Sequence, residues 1–147
     1  MVNTWVFFAD GQIFGIDTFT SELKKLLSQW DSHGELVPNN FEVIENQIII
    51  IDAKPGATSG CSIDALHKIV DALLKQYGCT LLASSEVVYR ENGKIVHVDF
   101  RKIPELLRSG LISSDTIVFD VQSRISGDFF WEKPLRHTWL SKFLQLA

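Results

Sequence analysis

The sequence predicts an α+β fold, a mainly antiparallel sheet with helices packed on it. Three observations point there. Two segments, 19–30 and 63–77, repeat their apolar residues at helical spacing. Short apolar or alternating runs flank them, as strands do. Turn residues at Glu45-Asn46 and Asn92-Gly93 join those runs in pairs, the connection expected between antiparallel neighbours.

Taken in order, Thr4 to Ala9 is almost wholly apolar, as a strand buried on both faces should be. Asp10-Gly11 then marks a turn that either closes a hairpin with residues 12–16 or leads into the first helix. Phe19, Leu23, Leu26, Leu27 and Trp30 make one stripe on that helix. Thr18 or Thr20 is placed to cap it, and Gly34 to end it. A hairpin follows, Phe41 to Ile44 and Gln47 to Asp52. The second helix carries Ile63, Leu66, Ile69, Val70, Leu73, Leu74 and Tyr77 on one face, and Gly78 ends it. On its other face Asp64–Lys68 and Asp71–Lys75 are acid-before-base pairs four apart. A second hairpin spans Glu86 to Arg90 and Lys94 to Phe100. Pro104 opens a short helix that stops at Gly110. Thr116 to Val121 is a strand, and Pro134 opens a last helix with Leu135, Trp139, Leu140, Phe143 and Leu144 inward. The first six elements match a ferredoxin-like βαββαβ core, with the remainder as a carboxy-terminal extension.

A chain of 147 residues fits one domain, 1–147, able to bury a core without staples. With 46% hydrophobic and 22% charged residues, it has the usual globular mixture. The net charge of -4 comes from interleaved acids and bases, with no basic stripe. Nucleic-acid and membrane-surface partners are therefore not expected. Cys61 and Cys79 do not form a disulfide framework. The amino terminus lacks a signal-peptide pattern, and Ile48 to Ile51 is far too short for a membrane span. The expected setting is the cytoplasm.

The stretch from Asp52 to Asp64 is the most pointed chemically, because it leaves an apolar strand and enters an amphipathic helix. Free amides at a helix start attract anions, and the helix dipole adds to that attraction. Gly56 and Gly60 allow close approach, and Thr58, Ser59 and Ser62 offer hydroxyls. Asp52, Thr58, Ser59, Gly60, Cys61, Ser62 and Asp64 are thus the candidate residues for a small anionic ligand. The segment superficially resembles a phosphate-binding loop, but its glycines are one residue too close and Cys61 stands where the lysine belongs. Nucleotide hydrolysis is not expected. Cys61 is also a candidate reactive thiol, since a helix amino end lowers a thiol pKa, with His33 or His67 as the candidate base. The plainer alternative is that Ser59 or Ser62 caps the helix and Cys61 packs as a small apolar residue.

Trp30-Asp-Ser-His33-Gly34, Ser59-Gly-Cys-Ser-Ile-Asp64, Val118-Phe119-Asp120 and Trp131…Pro134…Trp139-Leu140 resemble an uncharacterised family of small bacterial proteins, associated with the Bacteroidetes. The resemblance covers most of the chain, and the Ser59–Asp64 block is its most specific part. Members often carry the label "ABC transporter ATPase", so the resemblance implies that activity. The residues oppose it: the chain has no phosphate-binding lysine and no helical signature segment, and it is too short for a complete ATPase of that class. No catalytic residue is carried over.

Elsewhere the candidates are weaker. His33 reads as a helix-terminus residue meeting the dipole, His97 and His137 as surface residues. His33, Asp52, Cys61 and Asp64 lack the spacing of a zinc site, so no metal or cofactor is implied. Phe129, Phe130 and Trp131, with Trp139 and Phe143, read as a staple for the last helix or as a contact for a second copy or a protein partner. The reading is a binding or interaction module without an assigned enzymatic activity. Its alternatives are a thiol-dependent enzyme or redox protein using Cys61, and a structural subunit using the carboxy-terminal aromatics.

Overall fold

The structure, a computed structural model, describes residues 2–145. It is an α+β protein with antiparallel sheets, and it divides into two units, Met1–Leu82 and Ala83–Ala147, each with its own apolar cluster.

The first unit holds β1 (Asn3–Phe8), α1 (Ile16–Ser28), β2 (Asp31–Ser32), β3 (Glu35–Leu36), β4 (Asn39–Ile44), β5 (Ile48–Ala53) and α2 (Gly60–Gln76). Strands pair in the order β1-β5-β4, all antiparallel. The unbroken isoleucine run lies in the central strand, where Ile48 to Ile51 are all buried. Strand alternation sends Ile49, Ile51 and Ala53 into the cluster with Phe19 and Leu23 of α1 and Leu66, Val70 and Leu73 of α2. Both helices therefore cover one face of this sheet. Asp52 points to the other face, where its carboxylate accepts a 2.6 Å bond from the Thr4 hydroxyl.

The ferredoxin-like series is completed differently from the expectation. The strand after α2 in that series, expected at Glu86, pairs in the second unit instead. Beside β1 stands a single bridge, Ala9 to Leu81, flanked by Leu82 N–H to Phe8 O and Asp10 N–H to Thr80 O, both 2.9 Å. A turn at Ala83–Glu86 ends the run before a ladder forms.

Helix α1 starts earlier than its threonines suggested. Gly15, at φ 80°, is the residue before it, and the Thr20 hydroxyl donates backward to the Ile16 carbonyl instead of capping. Nor does Gly34 end this helix. The chain leaves it at Gln29, and His33 (φ 54°) and Gly34 (φ 84°) form the two-residue turn between β2 and β3. His33 is thus a hairpin-tip residue, not a helix-terminus one. Leu26 is exposed as well, outside the stripe it was assigned to. At the end of α2, by contrast, Gly78 (φ 74°) does what its position predicts. Its N–H donates to Lys75 O and that of Cys79 to Leu74 O, satisfying the last carbonyls. Asp71 and Lys75 pair at 2.9 Å.

The second unit contains β6 (Glu86–Glu91), β7 (Lys94–Asp99), α3 (Ile103–Ser109), β8 (Ile117–Phe119), α4 (Val121–Ile125) and β9 (Glu132–Pro134), with sheet order β7-β6-β8-β9. Asn92-Gly93 closes β6 onto β7 in the expected left-handed conformation, and α3 carries Pro104 in its first turn. Val87, Tyr89, Ile103, Val118, Leu135 and Leu140 form its core. The last helix is not an α-helix. Leu135–His137 and Trp139–Gln145 are separate 3-10 segments, because Thr138 is extended and its hydroxyl donates to Leu135 O at 2.7 Å.

A cleft beside the first turn of α2

Ser59 is the N-cap of α2. Its hydroxyl accepts from Ser62 N–H at 3.3 Å, while Ser59 N–H donates to the Ser62 hydroxyl at 2.6 Å. This reciprocal box uses serine where glutamate is more usual, and the short side chain still reaches. The Ser62 hydroxyl also donates to Ser59 O at 2.9 Å and is buried. Ser62 is therefore committed to the cap and has no hydroxyl to offer a ligand, a correction to its candidate role. Two amides of the first turn, those of Gly60 and Cys61, have no partner among the described residues.

The β2–β3 hairpin is held against this turn. Buried Trp30 donates its indole N–H to Ser62 O at 2.7 Å, and the Ser32 hydroxyl donates to that of Ser59 at 3.2 Å. Between the hairpin and the loop after β5 lies an open cleft of about 650 Å³, walled by Ser32, His33, Glu35, Lys54, Thr58 and Ser59 among others. The side chains of His33, Lys54 and Thr58 make no hydrogen bond or ion pair among the described residues. A lysine, a histidine and a threonine thus line one space, with Glu35 as the opposing charge.

The candidates are only partly gathered. Thr58 and Ser59 line the cleft with His33, and Gly60 follows directly. A Cβ added at Gly60 meets nothing within 4 Å. Asp52 is turned to the far face of the sheet with Thr4, so it is not part of this cleft. Asp64 is exposed on the next turn, outside the lining. Cys61 is exposed, which overturns the expectation that it packs as an apolar residue, but it does not line the cleft that His33 lines. His67 rests edge-on against Phe7, ring centroids 5.0 Å apart. Lys54 lines the cleft as well. It lies inside the stretch the sequence singles out, and its charge was the available signal.

The other cysteine is a packing residue. Cys79 is buried, and burial followed by the nearby Asp10 carboxylate pushes its thiol pKa up. Among the described residues no three His, Cys, Asp or Glu side chains converge as a metal site, and no helix is long and apolar enough to cross a membrane. The carboxy-terminal aromatics divide. Trp131 is buried against Phe119, while Phe129 and Phe130 are exposed and Trp139 is half exposed.

The fold and cleft define the class as an α+β protein with antiparallel sheets and an open polar groove at a capped helix start. Comparison with protein-family models, curated proteins and solved structures returns no match for this chain.

Proposed function

We propose that the first unit is a binding module for a small anionic molecule seated in the cleft beside α2. The observation that carries this reading is the convergence of Lys54, His33 and the Thr58 hydroxyl on one open space whose wall includes the N-cap of a 17-residue helix. The partial positive charge of that helix start adds to the lysine, and the uncapped amides of Gly60 and Cys61 follow Ser59 directly in the chain. Glu35 weakens the field and sets a limit on how much charge the site gathers.

Amide-resolved NMR titration with inorganic phosphate tests it. Phosphate should shift Thr58, Ser59, Gly60 and Cys61 together, and Lys54→Ala should weaken binding. Gly60→Asp, which places a carboxylate in open space, should abolish it while the melting temperature stays near that of the parent. Unmoved resonances in this segment at millimolar phosphate would refute the reading.

A second reading is thiol chemistry at Cys61, favoured by its exposure in the first turn of the same helix. Alkylation of Cys61 at neutral pH faster than that of free cysteine would support it, and an ordinary rate would remove it.

A further inference from the structure

A second cleft of about 610 Å³ lies on the other side of the hairpin's outgoing strand. Its apolar walls are Leu36, Pro38 and Phe41, and the polar residues Lys24, Ser28, Asn39 and Asn40 line it too. Leu36 and Pro38 also wall the polar cleft, so the two hollows meet along a ridge formed by these residues. Leu36 is 63% exposed, unusual for a leucine within a strand. One hollow is polar and bears Lys54 and His33; its neighbour is faced mainly by aliphatic and aromatic carbon. Each is of small-molecule size.

From this juxtaposition we infer that the ligand is an amphiphilic anion, a carboxylate or phosphate head joined to an aliphatic arm that crosses Leu36 into the second cleft. The inference rests on the anion reading of the polar cleft and adds the chemistry of the remainder of the molecule. Desolvation sets the polarity, since each cleft carries a lysine. The head belongs beside Lys54, because the opposite placement would set the arm against Lys54, His33 and Thr58 and strip water from them without replacement hydrogen bonds. Covering Leu36 and Phe41 supplies the gain for the arm, since each methylene removed from water adds to affinity.

The test is a chain-length series on the full chain, acetate, butyrate, hexanoate and octanoate, followed by amide-resolved NMR with inorganic phosphate as the head-only probe. Affinity should rise at least about twofold per added methylene, half or more of the full-burial value. Octanoate should shift Phe41 as well as Thr58 to Cys61, whereas phosphate should shift Thr58 to Cys61 and leave Phe41 unmoved. Leu36→Ser should flatten the length dependence. Ser28→Trp, which fills the second cleft from α1 at a residue that lines only that cleft, should flatten it too and leave phosphate binding unchanged. If phosphate binds but octanoate binds no tighter than acetate, the amphiphile is wrong and the anion site stands. Neutral 1-octanol binding as tightly as octanoate overturns the inference, as do octanoate shifts confined to the exposed Phe129 and Phe130. If phosphate leaves Thr58 and Ser59 unmoved, the anion reading fails and this inference falls with it.

Discussion

The indole N–H of Trp30 donates to the Ser62 carbonyl across 2.7 Å, tying the end of the first helix segment to the first turn of α2. Trp30 is itself buried, with its ring edge-on to Trp5 at 5.9 Å. With the Ser32–Ser59 hydroxyl bond, that side chain holds the β2–β3 hairpin, and so His33, against the capped helix start.

Replacing Trp30 with phenylalanine keeps an aromatic body and deletes the donor. The variant should lose about 2 kcal/mol, from the missing bond and the smaller ring. Urea denaturation measures the loss. Amide exchange at residues 31–36 should quicken more than in β6.

The Ser59 cap separates stability from binding. Ser59→Ala should cost about 1 kcal/mol in a denaturant titration. Ser59→Asp retains a capping oxygen and adds a favourable charge at the dipole, so it should hold or raise stability. The same variant should weaken phosphate in the cleft, because it places a like charge in the wall.

Two leucines of apparently equal standing in sequence should behave differently. Leu66 is fully buried in the first unit's core, so Leu66→Ala should cost about 2–5 kcal/mol. Leu26, which the sequence assigns to the first helix's stripe, is exposed, and Leu26→Ala should change stability by less than about 0.5 kcal/mol. Paired denaturation curves decide it.

Asp99 accepts from the Arg101 guanidinium at 2.8 Å through each carboxylate oxygen, and from the Arg101 backbone N–H at 2.9 Å. The side-chain bonds, then the backbone bond, lower its pKa from 3.8 to about 2. A depressed carboxyl pKa means the native state favours the ionised form. Its contribution is complete above pH 3.8 and is lost as the pH falls through about 2. A carboxyl-carbon NMR titration should place the Asp99 midpoint near 2, and Arg101→Gln should return it toward 3.8. Arg101 is exposed, so its substitution should cost only modest stability at pH 7.

Long periodic elements were legible in the sequence, and short ones were not. α2 repeats its apolar residues over four turns, and the turns at Glu45-Asn46 and Asn92-Gly93 hold the positive φ that Asn46, Asn92 and Gly93 adopt readily. β2 and β3 have two residues each and α4 has five, too few for any period to register. The carboxy-terminal stripe was visible, but apolar spacing alone does not distinguish an α-helix from 3-10 turns broken at Thr138. The site divides along the same line. The Ser59 cap is local and readable, whereas the cleft needs Ser32 and Glu35 from a hairpin whose strands carry no pattern. His33 reads in sequence as the end of a helix that stops before it, and as a candidate base for Cys61, which lies outside the cleft that His33 lines.

The hairpin tip has one more consequence. His33 holds a backbone angle of +54°, a region in which asparagine or glycine sits with less strain. A turn alone gains nothing from an imidazole there. His33→Asn should therefore leave the protein as stable or slightly firmer while removing a ring from the cleft rim. Any fall in affinity in that variant reports on recognition alone, with no loss of folding to confound it.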